Sequence, residues 1–186
     1  MSTVKIAAEN KAQKFLDPEK LLFSVPVTSD MVVADFGCGN GYYSVAAAKI
    51  VGKKGQVYAL DILEDALSQT ATLAKLNSIP NITTRQCDLE KLGACQIPDT
   101  SCDFAIISSI LHQLENKENV IREAYRVLKT GGKLIVVEWQ PASPFGPEAK
   151  ARINPEQAKQ LLEKFSFRPA AELPAGSFHY ALLYQK

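Results

Sequence analysis

The sequence predicts an α/β domain with a doubly wound, seven-stranded and mostly parallel sheet in which the last strand is antiparallel. Short apolar runs rich in β-branched residues alternate with helical segments along most of the chain, which is typical of parallel βαβ units. A glycine-rich loop connects the first of these runs directly to a helix. The last two runs are separated only by the link Pro174-Ala-Gly-Ser177, which has the length of a hairpin turn.

Each predicted strand is a short apolar run bounded by turn-forming or charged residues. The first, at residues 31–36 (MVVADF), ends at Gly37 and is apolar enough to be buried on both faces. Five runs alternate with helices and should pair in parallel, and the last two should form the hairpin. The predicted strands are residues 31–36, 56–61, 82–87, 102–108, 133–139, 167–173 and 178–185.

Helices are predicted from apolar residues at helical spacing and from their end signals. Asp17 caps a short helix that begins with Pro18, and Asn154 caps another that begins with Pro155. Gly131-Gly132 is expected to end the helix that precedes the fifth strand. The predicted helices are residues 17–23, 42–51, 63–77, 116–129 and 155–165.

The composition indicates one globular domain. The chain has 186 residues, of which 46% are hydrophobic and 22% are charged, and these values are close to the averages of globular proteins. A chain of this length buries enough surface for a core without metal or disulfide staples. We expect residues 1–30 to form a leader helix that serves as a lid and residues 31–186 to form the ligand-binding domain.

The charge balance argues against nucleic acid and membrane surfaces as partners. The chain has 21 Lys and Arg against 20 Asp and Glu, so no strong field attracts a polyanion. No apolar run reaches the roughly 18 to 20 residues of a membrane span, and residues 1–11 lack the apolar core of a signal peptide. We expect a cytoplasmic protein with no membrane span, and a homo-oligomer is possible.

The four cysteines are expected to be free and mostly buried thiols in a reducing compartment. They form no C-x-x-C pair, and no histidine stands at ligand spacing from them. A metal site is therefore not expected. The cysteines are Cys38, Cys87, Cys95 and Cys102.

The loop after the first strand, residues 35–41 (DFGCGNG), is the strongest indication of a ligand site. Ligands of doubly wound sheets bind beyond the carboxyl ends of the strands, and glycines let backbone N–H groups approach a ligand closely. The loop departs from the dinucleotide fingerprint, because Tyr42 stands where the third glycine belongs and Asp35 precedes the first glycine by two residues. A carboxylate suits a cation better than a pyrophosphate, so the loop indicates a ligand with an ammonium and a carboxylate.

Two further carboxylates follow neighbouring predicted strands. Asp61 ends the second strand, where a carboxylate can accept both hydroxyls of a ribose. Asp88 follows the third strand, where it can accept a hydrogen bond from an exocyclic amine such as that of adenine. Taken singly, Asp61 is equally suited to capping the next helix, and Asp88 to a solvated loop. Together with the glycine loop they indicate a nucleoside ligand.

These residues together resemble the class I S-adenosylmethionine-dependent methyltransferases over residues 32–139. The loop at residues 35–41 is similar to motif I, residues 58–61 (YALD) to the ribose-binding motif and residues 87–89 (CDL) to the adenine-binding motif. Residues 122–139 (REAYRVLKTGGKLIVVEW) are similar to the ubiquinone/menaquinone-type branch, which acts on small molecules.

The resemblance implies the Rossmann-like fold of that class, the cofactor S-adenosylmethionine and a set of cofactor-binding residues. Asp35 would lie near the ammonium of the methionine part, which Ser108 would line through its backbone. Asp61 would hold the ribose, Ile62 would cover the adenine ring, and Asp88 would meet the adenine amine. The implied cofactor-binding residues are Asp35, Gly37, Cys38, Gly39, Asn40, Gly41, Asp61, Ile62, Cys87, Asp88, Leu89 and Ser108.

The implied reaction is transfer of a methyl group to a small-molecule acceptor by in-line displacement, which needs mainly positioning and desolvation. A proton acceptor is needed only where the acceptor nucleophile is poorly ionised. His112, after the fourth strand, and Glu138, in the fifth, are the catalytic candidates. His112 is equally suited to bonding loop backbone, and Glu138 to pointing sideways from its strand.

An apolar wall for the acceptor is a further hypothesis, because four aromatic residues stand near the ends of predicted elements. The same residues are also typical of core positions. They are Phe15, Tyr42, Trp139 and Phe145.

Other functions fit parts of the same pattern. An S-adenosylmethionine-binding module without turnover, acting as a sensor or subunit, would use the same residues. A NAD(P)-dependent oxidoreductase is disfavoured by Tyr42 and Asp35. A nucleic-acid amino-methyltransferase would have an Asn or Asp, two prolines and an aromatic residue where this chain has residues 108–111 (SSIL). An arsenic methyltransferase shares the fold, but its set of cysteines has no clear match here.

Overall fold

The structure is a computed structural model that describes residues 15–186. The first part of the predicted leader, residues 1–14, lies outside the described residues. Within them, the chain forms a seven-stranded sheet with helices on both faces. The strands are β1 (Val32–Phe36), β2 (Gln56–Asp61), β3 (Ile82–Gln86), β4 (Cys102–Ser108), β5 (Leu128–Trp139), β6 (Arg168–Leu173) and β7 (His179–Gln185).

The strand order across the sheet is β3-β2-β1-β4-β5-β7-β6. β7 is antiparallel to both of its neighbours, β5 and β6, and the remaining neighbouring strands pair in parallel. This confirms the predicted doubly wound, mostly parallel sheet with an antiparallel last strand. The first five strands pair in parallel because the chain crosses the sheet between neighbouring strands instead of turning back in a hairpin.

The helices divide between the two faces of the sheet. α4 and α5 pack on one face, where Phe36 of β1 points. α1 and α2 pack on the other face, where Val33 of the same strand points. The alternation follows from the two-residue period of a strand. The helices are α1 (Pro18–Phe23), α2 (Tyr42–Val51), α3 (Glu64–Leu76), α4 (Lys117–Val127) and α5 (Pro155–Lys164).

The leader helix α1 is part of the domain core. Asp17 caps it through a 3.1 Å hydrogen bond from the backbone N–H of Lys20, as the sequence predicts. Leu22 is completely buried in the cluster that also contains residues of α2 and the sheet. The helix is therefore anchored to the face of the sheet that α2 also covers.

The parallel strands end at a common edge, which positions the candidate site. Phe36 at the end of β1 pairs with Leu60 in β2 and with Ile107 in β4. The chain leaves β1 for β2 on one side and reaches β4 on the other side only after β3, so the direction of winding reverses between β1 and β4. A crevice opens at such a point, beyond the carboxyl ends of the strands.

The end of α4 differs from the sequence prediction. Gly131-Gly132 is predicted to end the helix, but α4 ends at Val127 and β5 begins at once. Leu128 is fully buried, adopts an extended conformation and pairs with Cys102 in β4. Burial and strand pairing therefore draw the chain out of the helix before the glycines, and Gly131, with φ of 82°, lies in an irregular stretch of β5.

Four free thiols are expected from the sequence, and this expectation is wrong for Cys87 and Cys95. Cys87 and Cys95 form a disulfide, with their Cα atoms 5.0 Å apart. Arg85 donates hydrogen bonds to the carbonyl groups of Cys95 and Gln96, which holds that segment against the end of β3. The folded chain thus brings together two cysteines that carry no pairing signal in the sequence. Cys38 and Cys102 are free and buried, as expected.

The start of α5 carries a complete capping box that α4 lacks. The side chain of Asn154 accepts from the N–H of Gln157 at 2.9 Å, and the Gln157 side chain accepts from the N–H of Asn154 at 3.0 Å. Asn116 occupies the same cap position in α4 without a side-chain bond. We expect Asn154→Ala to lower the free energy of unfolding by about 1 kcal/mol, as measured by urea denaturation.

The matched control is Asn116→Ala, which should change the free energy of unfolding by only a few tenths of a kcal/mol because no capping bond is lost. Equal losses in the two variants would contradict the assignment of the capping box.

Candidate functional site

The glycine loop is fixed by the end of β2. Leu60 O accepts hydrogen bonds from the N–H groups of Gly37 and Cys38 at 2.8 and 2.9 Å. The Asp61 carboxylate accepts the N–H of Gly39 at 3.0 Å. Because parallel pairing places β2 beside β1, residues on the second strand hold the loop that leaves the first.

Two glycines of this loop have no room for a side chain. Gly41 has φ of 82°, and a Cβ there would lie 2.7 Å from the Thr70 hydroxyl. Gly37 has φ of 74°, and a Cβ there would lie 2.5 Å from the Ile110 side chain. The positive φ and the close approach both exclude other residues. The loop therefore passes closely between α3 and the turn that follows β4.

Asp61 combines a structural role with free hydrogen-bonding capacity. One carboxylate oxygen accepts the N–H of Gly39 and the other accepts the N–H of Leu63, each at 3.0 Å. A carboxylate offers about four lone-pair positions, so each oxygen retains one for another donor. Asp61 does not cap α3, because Leu63 is the N-cap residue and no side chain bonds the first turn; its bond to the Leu63 N–H fixes the entry to the helix and leaves the expected ligand role open.

Asp35 is a buried carboxyl at the end of β1. It is 1% exposed and accepts a 2.6 Å hydrogen bond from the Ser44 hydroxyl. Burial raises the pKa of Asp35 to about 7, the Ser44 bond acts against this rise, and the nearby Asp61 charge adds to it. The site therefore has a carboxyl that an approaching cation would ionise.

The thiol of Cys38 is a neutral neighbour of these carboxylates. It lies 3.6 Å from the Thr70 hydroxyl, and burial raises its pKa to about 12, with the Asp35 charge contributing. Since the thiolate is the nucleophile and the metal ligand among the forms of cysteine, this buried thiol is suited to packing rather than to reaction.

Asp88 and Leu89 follow β3 at the far end of the site. Asp88 accepts the N–H of Glu90 at 3.0 Å, and Lys91 lies 3.1 Å from its other oxygen. These contacts lower the pKa of Asp88, with the bond from Glu90 as the largest cause. Leu89 is buried, and the Cys87 disulfide ties the start of this segment to the core.

A cavity of about 700 Å³ joins these elements at the carboxyl edge of the sheet. It runs from the end of β3, past the glycine loop, to the turn after β4. Gly41 and Cys87 do not line it, whereas the other ten predicted cofactor-binding residues do. These ten are Asp35, Gly37, Cys38, Gly39, Asn40, Asp61, Ile62, Asp88, Leu89 and Ser108.

The catalytic candidates His112 and Glu138 lie beside each other but do not line the cavity. Glu138 is 1% exposed, and one of its oxygens accepts the N–H of Leu111 at 2.7 Å. The other oxygen lies 3.4 Å from Nδ1 of His112. Glu138 therefore binds the turn between β4 and α4, whose residues Ile110 and Gln113 do line the cavity.

Of the four aromatic residues considered for an acceptor wall, Tyr42 alone lines the cavity. Trp139 packs on the ring of His179, with ring centroids 4.0 Å apart. Phe15 and Phe145 both contact Phe178, at centroid distances of 4.9 and 5.0 Å. The structure thus places these three aromatic rings outside the cavity, on the side of β5 and β7.

The cavity also has lining residues that the sequence analysis did not single out. Tyr43 lines it from the first turn of α2, and Leu16 and Pro18 line it from the chain before and within α1. Tyr43 stands next to Tyr42 in an apolar helix, so the sequence indicates a core residue. Its only distinguishing signal is that it follows the glycine loop by two residues and faces inward from the helix start.

Two further features are absent from the part of the chain that the structure describes. Across residues 15–186, no helix is both long enough and apolar enough to cross a membrane. In the same part of the chain, no group of three or more His, Cys, Asp or Glu side chains could hold a metal ion.

The fold and the cavity define a class: a doubly wound α/β domain with a carboxylate-lined cavity where the direction of winding reverses. A family model described as a methyltransferase domain matches residues 27–173. The chain belongs to this methyltransferase domain family. The family expected from the sequence is thereby confirmed.

The relatives of the chain are methyltransferases of longer sequence. It is 31% identical to the mouse arsenite methyltransferase over 108 residues, and this aligned region covers 55% of this chain and 29% of that protein. It is 33% identical to the ubiquinone/menaquinone biosynthesis C-methyltransferase of Escherichia fergusonii over 114 residues, and this aligned region covers 61% of this chain and 44% of that protein. The chain thus spans less than half the length of these relatives.

A solved structure has the same fold over nearly the whole chain. The S-adenosylmethionine-dependent methyltransferase from Aquifex aeolicus superposes with a TM-score of 0.83 and 24% identity, and the match covers 91% of this chain and 89% of that one. This similarity confirms the Rossmann-like fold of the class I methyltransferases.

The burial of Asp35 predicts a dependence of stability on pH. Its pKa is about 7 in the folded chain against 3.8 without burial. The folded state therefore retains a proton that the unfolded state releases, and the free energy of unfolding falls as the pH rises from about 4 to about 7. Asp35→Asn removes this ionisation and should gain about 1 to 3 kcal/mol relative to the wild-type chain between pH 5 and pH 8.

Urea denaturation at the two pH values measures this difference, and the exposed Asp65→Asn serves as the control, with no such gain. If the free energies of unfolding of Asp35→Asn and the wild-type chain differ by the same amount at pH 5 and pH 8, the raised pKa of Asp35 is contradicted.

Proposed function

We propose that this chain binds S-adenosylmethionine in the cavity at the carboxyl edge of the sheet and transfers its methyl group to a small-molecule acceptor. One observation carries the proposal: a single cavity of about 700 Å³ is lined by the glycine loop, Asp61, Asp88 and Ser108. Membership of the methyltransferase domain family supports it. The names of the relatives in the family support a small-molecule acceptor.

The chemistry of Asp61 fits the ribose of this cofactor. Its two oxygens are already held by the N–H groups of Gly39 and Leu63, so the carboxylate is fixed in direction. The remaining lone pairs can accept the two ribose hydroxyls, one at each oxygen. Ile62 is 56% exposed beside it and offers an apolar surface for the adenine ring.

The two ends of the cavity fit the remaining parts of the cofactor. Asp35 and the glycine loop lie at the end suited to the amino-acid part, where an ammonium would favour the ionised form of the buried carboxyl. Asp88 and Leu89 lie at the other end, where a carboxylate and a buried leucine suit the amine and the ring of adenine.

The cofactor supplies a methyl group that its sulfonium already activates for displacement. The residues of this chain bind, orient and exclude water, and these tasks account for most of the catalytic effect in a positioned displacement. No residue of the chain needs to form a covalent bond in this reaction.

The acceptor side of the cavity is suited to a small molecule of mainly apolar character. Leu16, Tyr42, Ile110 and Leu114 line it together with the uncharged Gln113. Apolar walls with few polar groups are typical of small-molecule sites. The acceptor is therefore proposed to be recognised by shape and apolar contact more than by charge.

We propose that residues 15–18 cover part of this site, in line with the expected lid at residues 1–30. Leu16 and Pro18 line the cavity, while Phe15 packs on Phe145 and Phe178 at centroid distances of 5.6 and 4.9 Å. Arg152 holds the loop that carries Phe145 by donating to five backbone carbonyls. These belong to Gln140, Pro141, Ser143, Phe145 and Pro147.

Glu138 is proposed to position His112, and His112 to accept the proton of an acceptor that needs to lose one. One Glu138 oxygen accepts the Leu111 N–H and the other contacts His112 Nδ1. Because both oxygens are engaged, Glu138 is better suited to orienting His112 than to acting as a base itself. The contact at Nδ1 leaves Nε2 of the imidazole as the nitrogen that can take up a proton. The turn that carries His112 forms part of the acceptor wall.

Binding of S-adenosylhomocysteine tests the cofactor assignment. Calorimetric titration should show binding of S-adenosylhomocysteine and none of NADH. Asp61→Ala should lower the affinity for S-adenosylhomocysteine by roughly 1.5 to 3 kcal/mol, the range for hydrogen bonds to a charged group.

Glu64→Ala is the matched control, because it removes one negative charge from the neighbouring helix start without touching the cavity; its affinity should equal that of the wild-type chain. Binding of NADH without S-adenosylhomocysteine would exclude the methyltransferase proposal, and an unchanged dissociation constant in Asp61→Ala would refute the ribose role.

Transfer of a radiolabelled methyl group to a panel of phenols, amines and thiols separates an enzyme from a binding module. With an acceptor that must lose a proton, His112→Gln should reduce turnover by about 10²- to 10⁴-fold, the usual effect of losing a general base, and leave the affinity for S-adenosylhomocysteine unchanged. Full turnover in His112→Gln would assign the histidine to loop structure. Label transfer to none of the acceptors would favour a sensor or subunit.

The cytoplasmic location and the homo-oligomeric state stay predictions. In a reducing cytoplasm Cys87 and Cys95 would be present as thiols, so the thiol content of the purified protein bears on the location. Its mass in solution decides the oligomeric state.

A further inference from the structure

The hydroxyl of Tyr43 is buried in the described chain without a hydrogen-bond partner. Tyr43 is 8% exposed, and its hydroxyl oxygen is one of two buried side-chain polar atoms that lack a partner within residues 15–186, the other being Nδ1 of His179. A buried hydroxyl that lacks a partner destabilises the fold, because it loses its hydrogen bonds to water and gains none in return. A phenylalanine would avoid this cost, so the hydroxyl calls for a role that the ligand-free chain does not satisfy.

The position of Tyr43 indicates what could satisfy it. Tyr43 lines the cavity together with Asp35 and Ser108, at the end opposite Asp88. Burial raises the pKa of Tyr43, and the Asp35 charge adds to the rise. The Ser108 side chain is near enough to oppose the rise, but its position does not satisfy hydrogen-bond geometry with the Tyr43 hydroxyl. The phenol thus stays protonated and can donate a hydrogen bond, and its neighbours are the hydroxyl of Ser108 and the carboxyl expected to meet an ammonium.

We propose that the Tyr43 hydroxyl, with the Ser108 hydroxyl beside it, anchors the amino-acid part of the bound ligand. The proposal rests on the proposed function, because it requires a ligand with such a part in this cavity. A phenol and an aliphatic hydroxyl can together both donate and accept, which suits the carboxylate and the ammonium of an amino acid. Tyr43 is a positioning residue in this role, since it binds the part of the ligand that does not react.

A contrast between two buried tyrosines provides a matched test. Tyr180 is 6% exposed, as buried as Tyr43, but its hydroxyl donates a 2.9 Å hydrogen bond to the carbonyl oxygen of Ile153. Tyr43→Phe and Tyr180→Phe therefore make the same chemical change at an unpaired and at a paired hydroxyl. The first should keep or raise the melting temperature of the ligand-free chain, and the second should lower it.

Calorimetric titration with two ligands completes the test. S-adenosylhomocysteine has the amino-acid part, and 5′-methylthioadenosine has the same nucleoside and sulfur without it. We expect Tyr43→Phe to raise the dissociation constant for S-adenosylhomocysteine about 5- to 30-fold, the effect of one or two lost hydrogen-bond contributions, and that for 5′-methylthioadenosine less than twofold. Tyr180→Phe should leave both constants unchanged.

The outcomes separate this inference from the function on which it rests. Failure of the wild-type chain to bind S-adenosylhomocysteine would overturn the proposed function and the anchor with it. If the wild-type chain binds S-adenosylhomocysteine and Tyr43→Phe binds it with the same dissociation constant, the anchor alone would be overturned. Equal losses for both ligands in Tyr43→Phe, or a fall in its ligand-free melting temperature without a loss of affinity, would assign Tyr43 to packing and likewise overturn the anchor.

Discussion

Three backbone N–H groups of the glycine loop bond to the last two residues of β2, and the rest of the site depends on this attachment. Glycines with positive φ give the loop its shape but leave it free to move in an unfolded chain. Leu60 O and the Asp61 carboxylate remove that freedom once β1 and β2 are paired. The start of α2, the floor of the cavity and the direction of Asp61 all follow from these bonds.

The carboxylates of the site each serve the fold as well as the proposed ligand. Asp61 holds the loop and the start of α3 with two of its lone pairs and keeps two for a ligand. Asp35 is buried at a cost, as its raised pKa shows, and a bound cation would offset that cost. Ligand binding and folding therefore act on the same groups, and a ligand in this cavity should stabilise the chain beyond the effect of filling space.

The acceptor side of the site is supported by different contacts from the cofactor side. Glu138 reaches from the end of β5 to the turn after β4, where it holds the N–H of Leu111 and approaches His112. Phe15, just before α1, packs on Phe145, which follows β5, and on Phe178, which follows β6. In our proposal the sheet and the glycine loop fix the nucleoside end of the site. The acceptor end is bounded by the turn after β4 and by residues 15–17, which a different sequence could reshape without altering the sheet.

Local sequence patterns were sufficient to predict the succession of strands and helices, the caps at Asp17 and Asn154, and the placement of glycines and acids at strand ends. These are local properties, since periodicity and end signals act within a few residues along the chain. Three features arise only when the chain is packed: α4 ends before its glycines, Cys87 bonds to Cys95, and the Tyr43 hydroxyl is left without a partner. Each of these depends on which distant segments are packed together, and burial and pairing across the sheet override local preference when they do so.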